Sequence, residues 1–326
     1  MRVICTGGSG FIGTHLTESL IMKEIDFINL DICEPYNHEH DKYWKTCDIL
    51  DLDNLQDEFH QYKPTHVIHL AARASMEGES LDDFRENTDG SANVIKAVKA
   101  TTSVNRIVVT STQHVRKPGS GMPLNDEDFD PLMLYGQSKV ITEQITRNAD
   151  LDCIWTIIRP TNVWGPWHPH LVNGLWRLIK KGLYFHPSGK PVIRSYGYVR
   201  NVVWQIEKIL NAPPALVDHK VYYVGEISSS QLEWLNAFSQ SLIGRDVRVV
   251  PSGVIKTLAA IGDILTSYGV KFPMYTSRYK NLTTSNIVPV GATIETFGAP
   301  PYSLEQGVKE TVQWLEKEGY IQKGKD

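Results

Sequence analysis

Apolar positions along this chain keep two rhythms, and the two alternate from the first residues onward. Val3-Ile4-Cys5 is a short continuous apolar run, which reads as a strand buried on both faces. Gly7, Gly8, Gly10 and Gly13 follow, and Phe11, Ile12, Leu16 and Leu20 then recur at helical spacing. A second apolar run ends on an acid, Asp31. The exchange repeats downstream. Residues 47–51 lead into a helix over 52–61, and His66-Val67-Ile68-His69-Leu70 is a strong strand started by Pro64. Residues 81–100 show helical periodicity through Phe84, Val94, Ile95 and Val98, with Asn87 and Gly90 among them. Residues 106–110 read as a strand, 134–146 as a helix and 153–158 as a strand. Strand alternating with helix predicts an α/β protein with a parallel, doubly wound sheet.

Beyond Pro160 the rhythm changes. Pro166, Pro169, Pro187, Pro191, Pro213 and Pro214 divide the chain into shorter pieces, among them an amphipathic helix over 171–181 and a Tyr-rich strand over 221–224. Ser303 followed three residues later by Gln306 is a capping box that opens a last helix over 303–318. The expected division is a Rossmann-type nucleotide-binding domain over 1–160, to which 190–230 returns, and a smaller C-terminal substrate-binding region over 161–326.

The glycine stretch carries the first chemistry. Glycine allows the φ values needed where a parallel strand hands over to a helix within a few residues. The missing side chains also let a diphosphate approach the backbone N–H groups of Gly7, Gly10, Phe11, Ile12 and Gly13, where the start of a helix favours an anion. Asp31 lies 18 residues beyond Gly13, placed to bond a ribose diol and to repel a 2′-phosphate, which favours NAD over NADP. A glycine-rich turn without a ligand is the bland alternative. The strand before it, the helix after it and the acid beyond weigh against that.

Further strand ends add polar groups. Leu70, Ala71, Ala72 and Arg73 follow the strand at 66–70, and small residues there let a flat ligand lie against the backbone. Thr112 ends the next strand, and Tyr135 and Lys139 are spaced i, i+4 on one helical face. A nearby ammonium would stabilise a phenolate and lower the Tyr135 pKa, making it a general acid or base for a hydroxyl or ketone. Taken alone, such a pair favours the bland reading, a half-buried aromatic beside a solvated lysine; the nucleotide fold upstream and Thr112 at a strand end turn the balance to the functional one.

Composition narrows the partners. The chain has 326 residues, 41% hydrophobic and 21% charged, with a net charge of −4, so it is long enough for a full α/β domain plus a smaller one. That charge suggests neither nucleic acid nor an anionic membrane as a partner. Cys5, Cys33, Cys47 and Cys153 are irregularly spaced and form no CxxC pair, which predicts reduced, buried thiols and no metal site. Two histidines within 34–45, His38 and His40, read as part of a solvated loop. The first strand begins at once, leaving no room for a signal peptide, and the apolar stretch 254–268 is too short to span a bilayer. A cytoplasmic protein is expected.

At these residues the sequence resembles the extended short-chain dehydrogenases/reductases, in their NAD-dependent nucleotide-sugar epimerase/dehydratase branch. The matching stretches are 6–13, Asp48-Ile49, His69-Leu70-Ala71-Ala72, Thr110-Ser111-Thr112, Tyr135-Gly136-Gln137-Ser138-Lys139 and Arg159-Pro160-Thr161-Asn162-Val163-Trp164-Gly165-Pro166. The resemblance implies that Tyr135 is the acid/base, and that Lys139 binds the nicotinamide ribose and lowers the Tyr135 pKa. It also implies that Asp48 and Ile49 meet the adenine, that Asn87 belongs to the cofactor site, and that Asn162 lies by a substrate diphosphate together with Arg73. Arg194, in a stretch similar to the family's RDFxxV segment, and Arg278 would be diphosphate clamps. Ser195 stands where that segment usually has Asp.

Family dehydratases follow the Thr with an Asp-Glu pair. Here Gln113-His114 follows Thr112, so water loss lacks its carboxylates, and His114 is at most an extra acid/base. The resemblance then implies an NAD-dependent epimerase acting at C4 of a nucleotide-diphosphate sugar, a UDP-sugar, through a transient 4-keto sugar. The alternatives are an NAD(P)H-dependent keto-sugar reductase, a 3β-hydroxysteroid-type dehydrogenase, or a non-catalytic NAD-sensing scaffold. A homodimer is expected through the helices at 81–100 and 134–146.

Overall fold

The structure is a computed structural model, and it describes residues 1–168, 174–270 and 272–321. The chain divides into two compact units. The first comprises Met1–Val163, Gly197–Glu226 and Val288–Pro301, and the second Trp164–Tyr196, Ile227–Ile287 and Tyr302–Asp326.

The first unit is a doubly wound α/β sandwich. Its sheet holds β1 (Arg2–Thr6), β2 (Asp26–Asp31), β3 (Trp44–Thr46), β4 (His66–His69), β5 (Arg106–Thr110), β6 (Ile154–Pro160) and an edge strand, Lys220–Val224. All seven run parallel, in the order edge strand, β6, β5, β4, β1, β2, β3. The order reverses between β1 and β4, which opens a crevice at the carboxyl ends of those two strands.

Side chains alternate across this sheet with period two, as the pleat requires. Val3 and Cys5 of β1, Ile68 of β4 and Val108 of β5 pack on one face with Leu16 and Leu20 of α1 (Phe11–Met22) and Val202 and Ile206 of helix Val199–Asn211. Ile4, Val67, Ile107 and Val109 pack on the other face with Leu55 and Phe59 of α2 (Leu52–Tyr62) and Val94 and Val98 of α3 (Ser91–Ala100). Each such side chain, fully buried, contributes about 1.5–3 kcal/mol, which is why the strands read as unbroken apolar runs.

Three expectations change. Residues 81–100 are not one helix. A 3₁₀ turn at Leu81–Phe84 and a π-turn at Glu86–Gly90 precede α3. The wider turn, closed by Gly90 N–H donating to the Arg85 carbonyl at 2.9 Å, carries Asn87, whose amide reaches the chain after β4. The His-rich link is not a solvated loop. Asn37 caps a 3₁₀ turn at His38–Tyr43, His40 is buried, and β3 then pairs with β2. The strand is only three residues long, too short to show a period. Among the cysteines, Cys5 and Cys47 are buried but Cys33 is exposed.

Of the helix expected over 171–181, residues 171–173 lie outside the described residues, and the described part is Leu175–Lys180. The capping box is present, with Ser303 Oγ accepting from Gln306 N–H and Gln306 Oε1 accepting from Ser303 N–H, ahead of helix Leu304–Lys317. In the second unit Tyr196 stacks on Trp234 at 4.7 Å, and Trp164 and Trp176 pack edge-on and tilted against Phe238. Among the described residues no helix is long and apolar enough to cross a membrane.

A charged network sits inside the first unit. α4 (Leu134–Arg147) buries Glu143, whose Oε1 accepts from Ser111 Oγ at 2.6 Å and from Arg159 Nε at 2.8 Å, while Oε2 accepts from Arg159 Nη2 at 2.8 Å. Arg159 Nη1 also donates to Tyr223 Oη at 3.0 Å. Removing one member of a buried pair strands the other charge. Glu143→Gln is therefore expected to lower the unfolding free energy by about 3 kcal/mol or more in urea denaturation. Unchanged stability would show that the network does not hold α4 to β6.

Candidate active site

The glycine turn is pressed between two strands. Gly7 has φ of +78°, and a Cβ there would land on the Ala71 backbone; at Gly8 it would land on the Asn29 side chain, and at Gly13 on the Gly7 carbonyl and Gly8. β2 grips the turn from the side. Gly8 N–H donates to Asn29 Oδ1 at 2.8 Å, Asn29 Nδ2 donates to Ser9 Oγ at 3.0 Å, and Ser9 N–H donates to Asp31 Oδ2 at 3.0 Å. Gly10 caps α1 with no side-chain hydrogen bond at the cap, so no side chain of the cap stands between the helix start and an anion. Phe11 packs edge-on to His15, and Ile12 turns its side chain into the core beside the sheet.

Asp31 Oδ1 accepts a second bond, from Cys33 N–H at 3.0 Å. A carboxylate has about four acceptor positions, and the N–H groups of Ser9, Ile32 and Cys33 do not fill them, which leaves room for a ribose hydroxyl. Burial pushes the Asp31 pKa up, and the N–H bonds oppose it. Asp48 is exposed, with Oδ1 accepting from Leu50 N–H, and Ile49 is buried. Asn93 Nδ2 on α3 donates to the Ile49 and Leu50 carbonyls at 3.0 and 3.2 Å and fixes this turn. The cradle thus fits a dinucleotide.

Across the crevice, Leu70 and Ala71 N–H both donate to the Thr6 carbonyl at 2.9 Å, which holds Leu70–Ala72 against the glycine turn. His69 beneath them bridges Thr6 Oγ1 at 2.7 Å and Ser91 Oγ at 3.0 Å. Burial pushes its pKa down to about 3, so the imidazole is neutral. Asn87 is fully buried. Its Oδ1 accepts from Arg73 N–H, and its Nδ2 donates to the Arg73 carbonyl and to Ser138 Oγ at 2.9–3.1 Å. The expected cofactor amide is thus bonded within the protein, where it positions the wall after β4. Arg73 Nη1 donates to the Asp83 carbonyl at 2.7 Å, and the guanidinium lies over Phe84.

Thr112, Tyr135 and Lys139 come together at the carboxyl end of β5. Tyr135 and Lys139 occupy successive turns of α4, both buried, and Tyr135 shares a hydrogen bond with Thr112. Lys139 Nζ donates to the Thr110 carbonyl at 2.8 Å. Burial lowers the Lys139 pKa to about 8, opposed by Glu143 one turn on. The expected depressed tyrosine is not what this arrangement produces. Burial pushes Tyr135 up, with the Thr112 bond opposing it. His114 N–H donates to Thr112 Oγ1 at 3.2 Å, and its ring lies 6.3 Å from that of Tyr135.

The substrate-side residues divide between the units. Asn162 is half-buried in the first, in the short strand Asn162–Trp164. Arg194 and Arg278 lie in the second, where both draw down the pKa of Tyr184, which burial pushes up. Arg194 Nη2 donates to Asn281 Oδ1 at 2.8 Å and to the Asn281 carbonyl, and Arg278 Nη1 donates to the Pro273 carbonyl at 2.6 Å. Both guanidiniums thus also brace their own unit. Asn29, Asn93, Ser138, Glu143 and Arg159 escaped notice as positioning residues. Asn29 left a readable trace, as the polar residue in an apolar run with the spacing that shares a face with Asp31.

Residues 3–225 match the model of the NAD dependent epimerase/dehydratase family. UDP-glucose 4-epimerase of Vibrio cholerae is 28% identical over 333 aligned residues, covering 95% of this chain and 94% of that protein. A sterol-4-alpha-carboxylate 3-dehydrogenase of Schizosaccharomyces pombe is 23% identical, covering 98% of each. Among solved structures, Thermotoga maritima UDP-glucose 4-epimerase with UDP-glucose superposes with a TM-score of 0.73 at 23% identity, over 98% of this chain and 99% of that one.

Two measurements probe this geometry. Asp31→Asn is expected to weaken NAD binding about tenfold or more and to narrow the preference over NADP, by titration calorimetry; unchanged values for both would remove Asp31 from the cofactor site. Lys139 binds its proton up to about pH 10.5 when unfolded but only to about 8 when folded. Between those values the unfolded chain holds the extra proton, so the Lys139 contribution to stability rises with pH across that window. Urea denaturation at about pH 7.5 and about pH 10 should show this rise in the wild type relative to Lys139→Met. Parallel behaviour of the two proteins would contradict a buried ammonium.

Proposed function

The chain belongs to the NAD dependent epimerase/dehydratase family, and from that premise we propose that it is a nucleotide-sugar epimerase inverting C4 of a UDP-sugar. It is an NAD-dependent enzyme. NAD, when bound, supplies the acceptor and donor for the hydride of the carbinol carbon. The observation that carries the reading is the buried Thr112–Tyr135 pair one helical turn from Lys139, beside the glycine cradle.

Tyr135 Oη takes the proton of the C4 hydroxyl as that carbon becomes a ketone, and returns it when the alcohol re-forms on the other face. Because burial raises the Tyr135 pKa, the resting phenol is protonated, and the positive charge that NAD would bring to the site favours release of that proton before Tyr135 takes up the substrate's. Thr112 Oγ1, steadied by His114 N–H, holds the substrate oxygen at Tyr135. Gln113-His114 offers no carboxylate pair for dehydration. Asn162, Arg73, Arg194 and Arg278 are proposed to hold the sugar nucleotide's diphosphate. The V. cholerae relative, named for UDP-glucose, supports a UDP-sugar. The proposal includes a cytoplasmic homodimer built on α3 and α4, to be checked by light scattering against the 36.8 kDa chain.

A second reading, net oxidation of a 3-hydroxysteroid, is favoured by the sterol dehydrogenase relative that covers 98% of the chain. The two differ in whether reduced cofactor accumulates. With UDP-glucose or UDP-galactose, Tyr135→Phe is expected to lower turnover by about 10²–10⁴-fold while NAD stays bound. Near-wild-type rates in that variant would reject the mechanism, and stoichiometric NADH release would replace the epimerase with the dehydrogenase.

A further inference from the structure

Helix Ser252–Ser267, in the second unit, has two apolar faces. One is packed: Ile255, Ala259 and Gly262 are buried. Any side chain at Gly262 would overlap the Met274 carbonyl, so the helix lies tight against the segment that follows it. The other face is open to solvent. Val254, Leu258, Ile261 and Ile264 are 38–60% exposed, and Tyr268 and Val270 just beyond the helix are 81% and 50% exposed. At the helical period these four helix positions cover about 120° of the circumference, clear of the packed face. Lys256 and Asp263 occupy the arc opposite. Single exposed apolar residues are ordinary, but a contiguous stripe of this width marks an interaction surface.

The charge of the sequence segment that carries the stripe says what it meets. Apart from Arg278, proposed above for the diphosphate, residues 245–284 hold five basic residues (Arg245, Arg248, Lys256, Lys271 and Lys280) against two acidic ones, Asp246 and Asp263, a local balance of +3 in a chain whose total is −4. Both acids are engaged locally. Asp263 accepts from Thr276 N–H at 3.0 Å, and Asp246 accepts from Gln240 Nε2 at 2.7 Å. A second copy of this surface would bring like charges together. An anionic lipid surface offers both the opposite charge and an apolar layer beneath it.

We propose that this face docks the enzyme on an anionic phospholipid bilayer, with helix Ser252–Ser267 lying in the interfacial plane. The helix is 16 residues long and carries Lys256 and Asp263, so it lies on the membrane and does not cross it. Tyr268 adds an aromatic side chain suited to the headgroup region. Whole-chain charge argued against an anionic membrane; the local balance reverses that conclusion for this one face. The inference is independent of the chemistry at Tyr135.

The test is sedimentation of the full chain, with NAD present, on vesicles of equal parts phosphatidylglycerol and phosphatidylcholine. The wild type should bind these vesicles and bind pure phosphatidylcholine about tenfold or more weakly, with added salt loosening the anionic case. Leu258→Asp and Ile264→Asp should each lower binding about tenfold or more, and Lys280→Glu should lower it on anionic vesicles alone. All three positions are exposed, so unchanged thermal unfolding should accompany these losses. Absence of wild-type binding, or equal binding by the two Asp variants, would overturn the proposal. So would a multimer that Ile264→Asp dissolves in a protein that does not bind vesicles, since the face would then be an interface between copies.

Discussion

The approach of bare backbone to backbone at the carboxyl end of β1 is the constraint on which the first unit depends. Gly7 sits against Ala71, Gly8 against Asn29, and Gly13 against the turn itself, each at a distance that leaves no space for a side chain. That contact ties β1 to β2 on one side and to the chain after β4 on the other. It places the start of α1, the Asp31 carboxylate and the Leu70–Ala72 wall around one crevice. A side chain at any of the three glycines would push these walls apart, and the crevice is useful only because they are close.

α4 brings Tyr135 and Lys139 to that crevice through a graded series of buried polar groups. Tyr135, Lys139 and Glu143 lie on successive turns of one face. Tyr135 meets Thr112, Lys139 meets the Thr110 carbonyl, and Glu143 meets Arg159 and Ser111. The deepest pair neutralises itself, which leaves the lysine between a carboxylate and a phenol. Asn87 on the π-turn and Ser138 on α4 join this helix to the wall after β4. The wall after β4 and α4 are therefore held in one hydrogen-bonded frame.

Charge in this protein is organised locally. A chain of net −4 places five basic residues, apart from Arg278, against two acidic ones within 245–284, next to an apolar helix face that its own unit leaves uncovered. Averages over the chain conceal such a segment. The same holds for titration, since the Tyr135 pKa is set by its depth of burial and its hydrogen bond to Thr112, more than by a lysine four residues away.

The sequence by itself determined the parallel α/β sheet, the glycine cradle with Asp31, and the Thr112, Tyr135 and Lys139 set. Each of these is written in short range: apolar runs of strand length, glycines where a turn must be tight, and i, i+4 spacing on one helix. Tertiary structure alone decided the direction of the Tyr135 pKa, the bonding of the Asn87 amide to Arg73 and Ser138, and the bracing of Arg194 by Asn281. It also decided the break in 81–100 and the short strand β3. The reason is common to all of them. Burial and hydrogen-bond partners come from residues distant in the chain, such as Arg73 for Asn87 and Asn281 for Arg194, and no local pattern records which distant group will arrive.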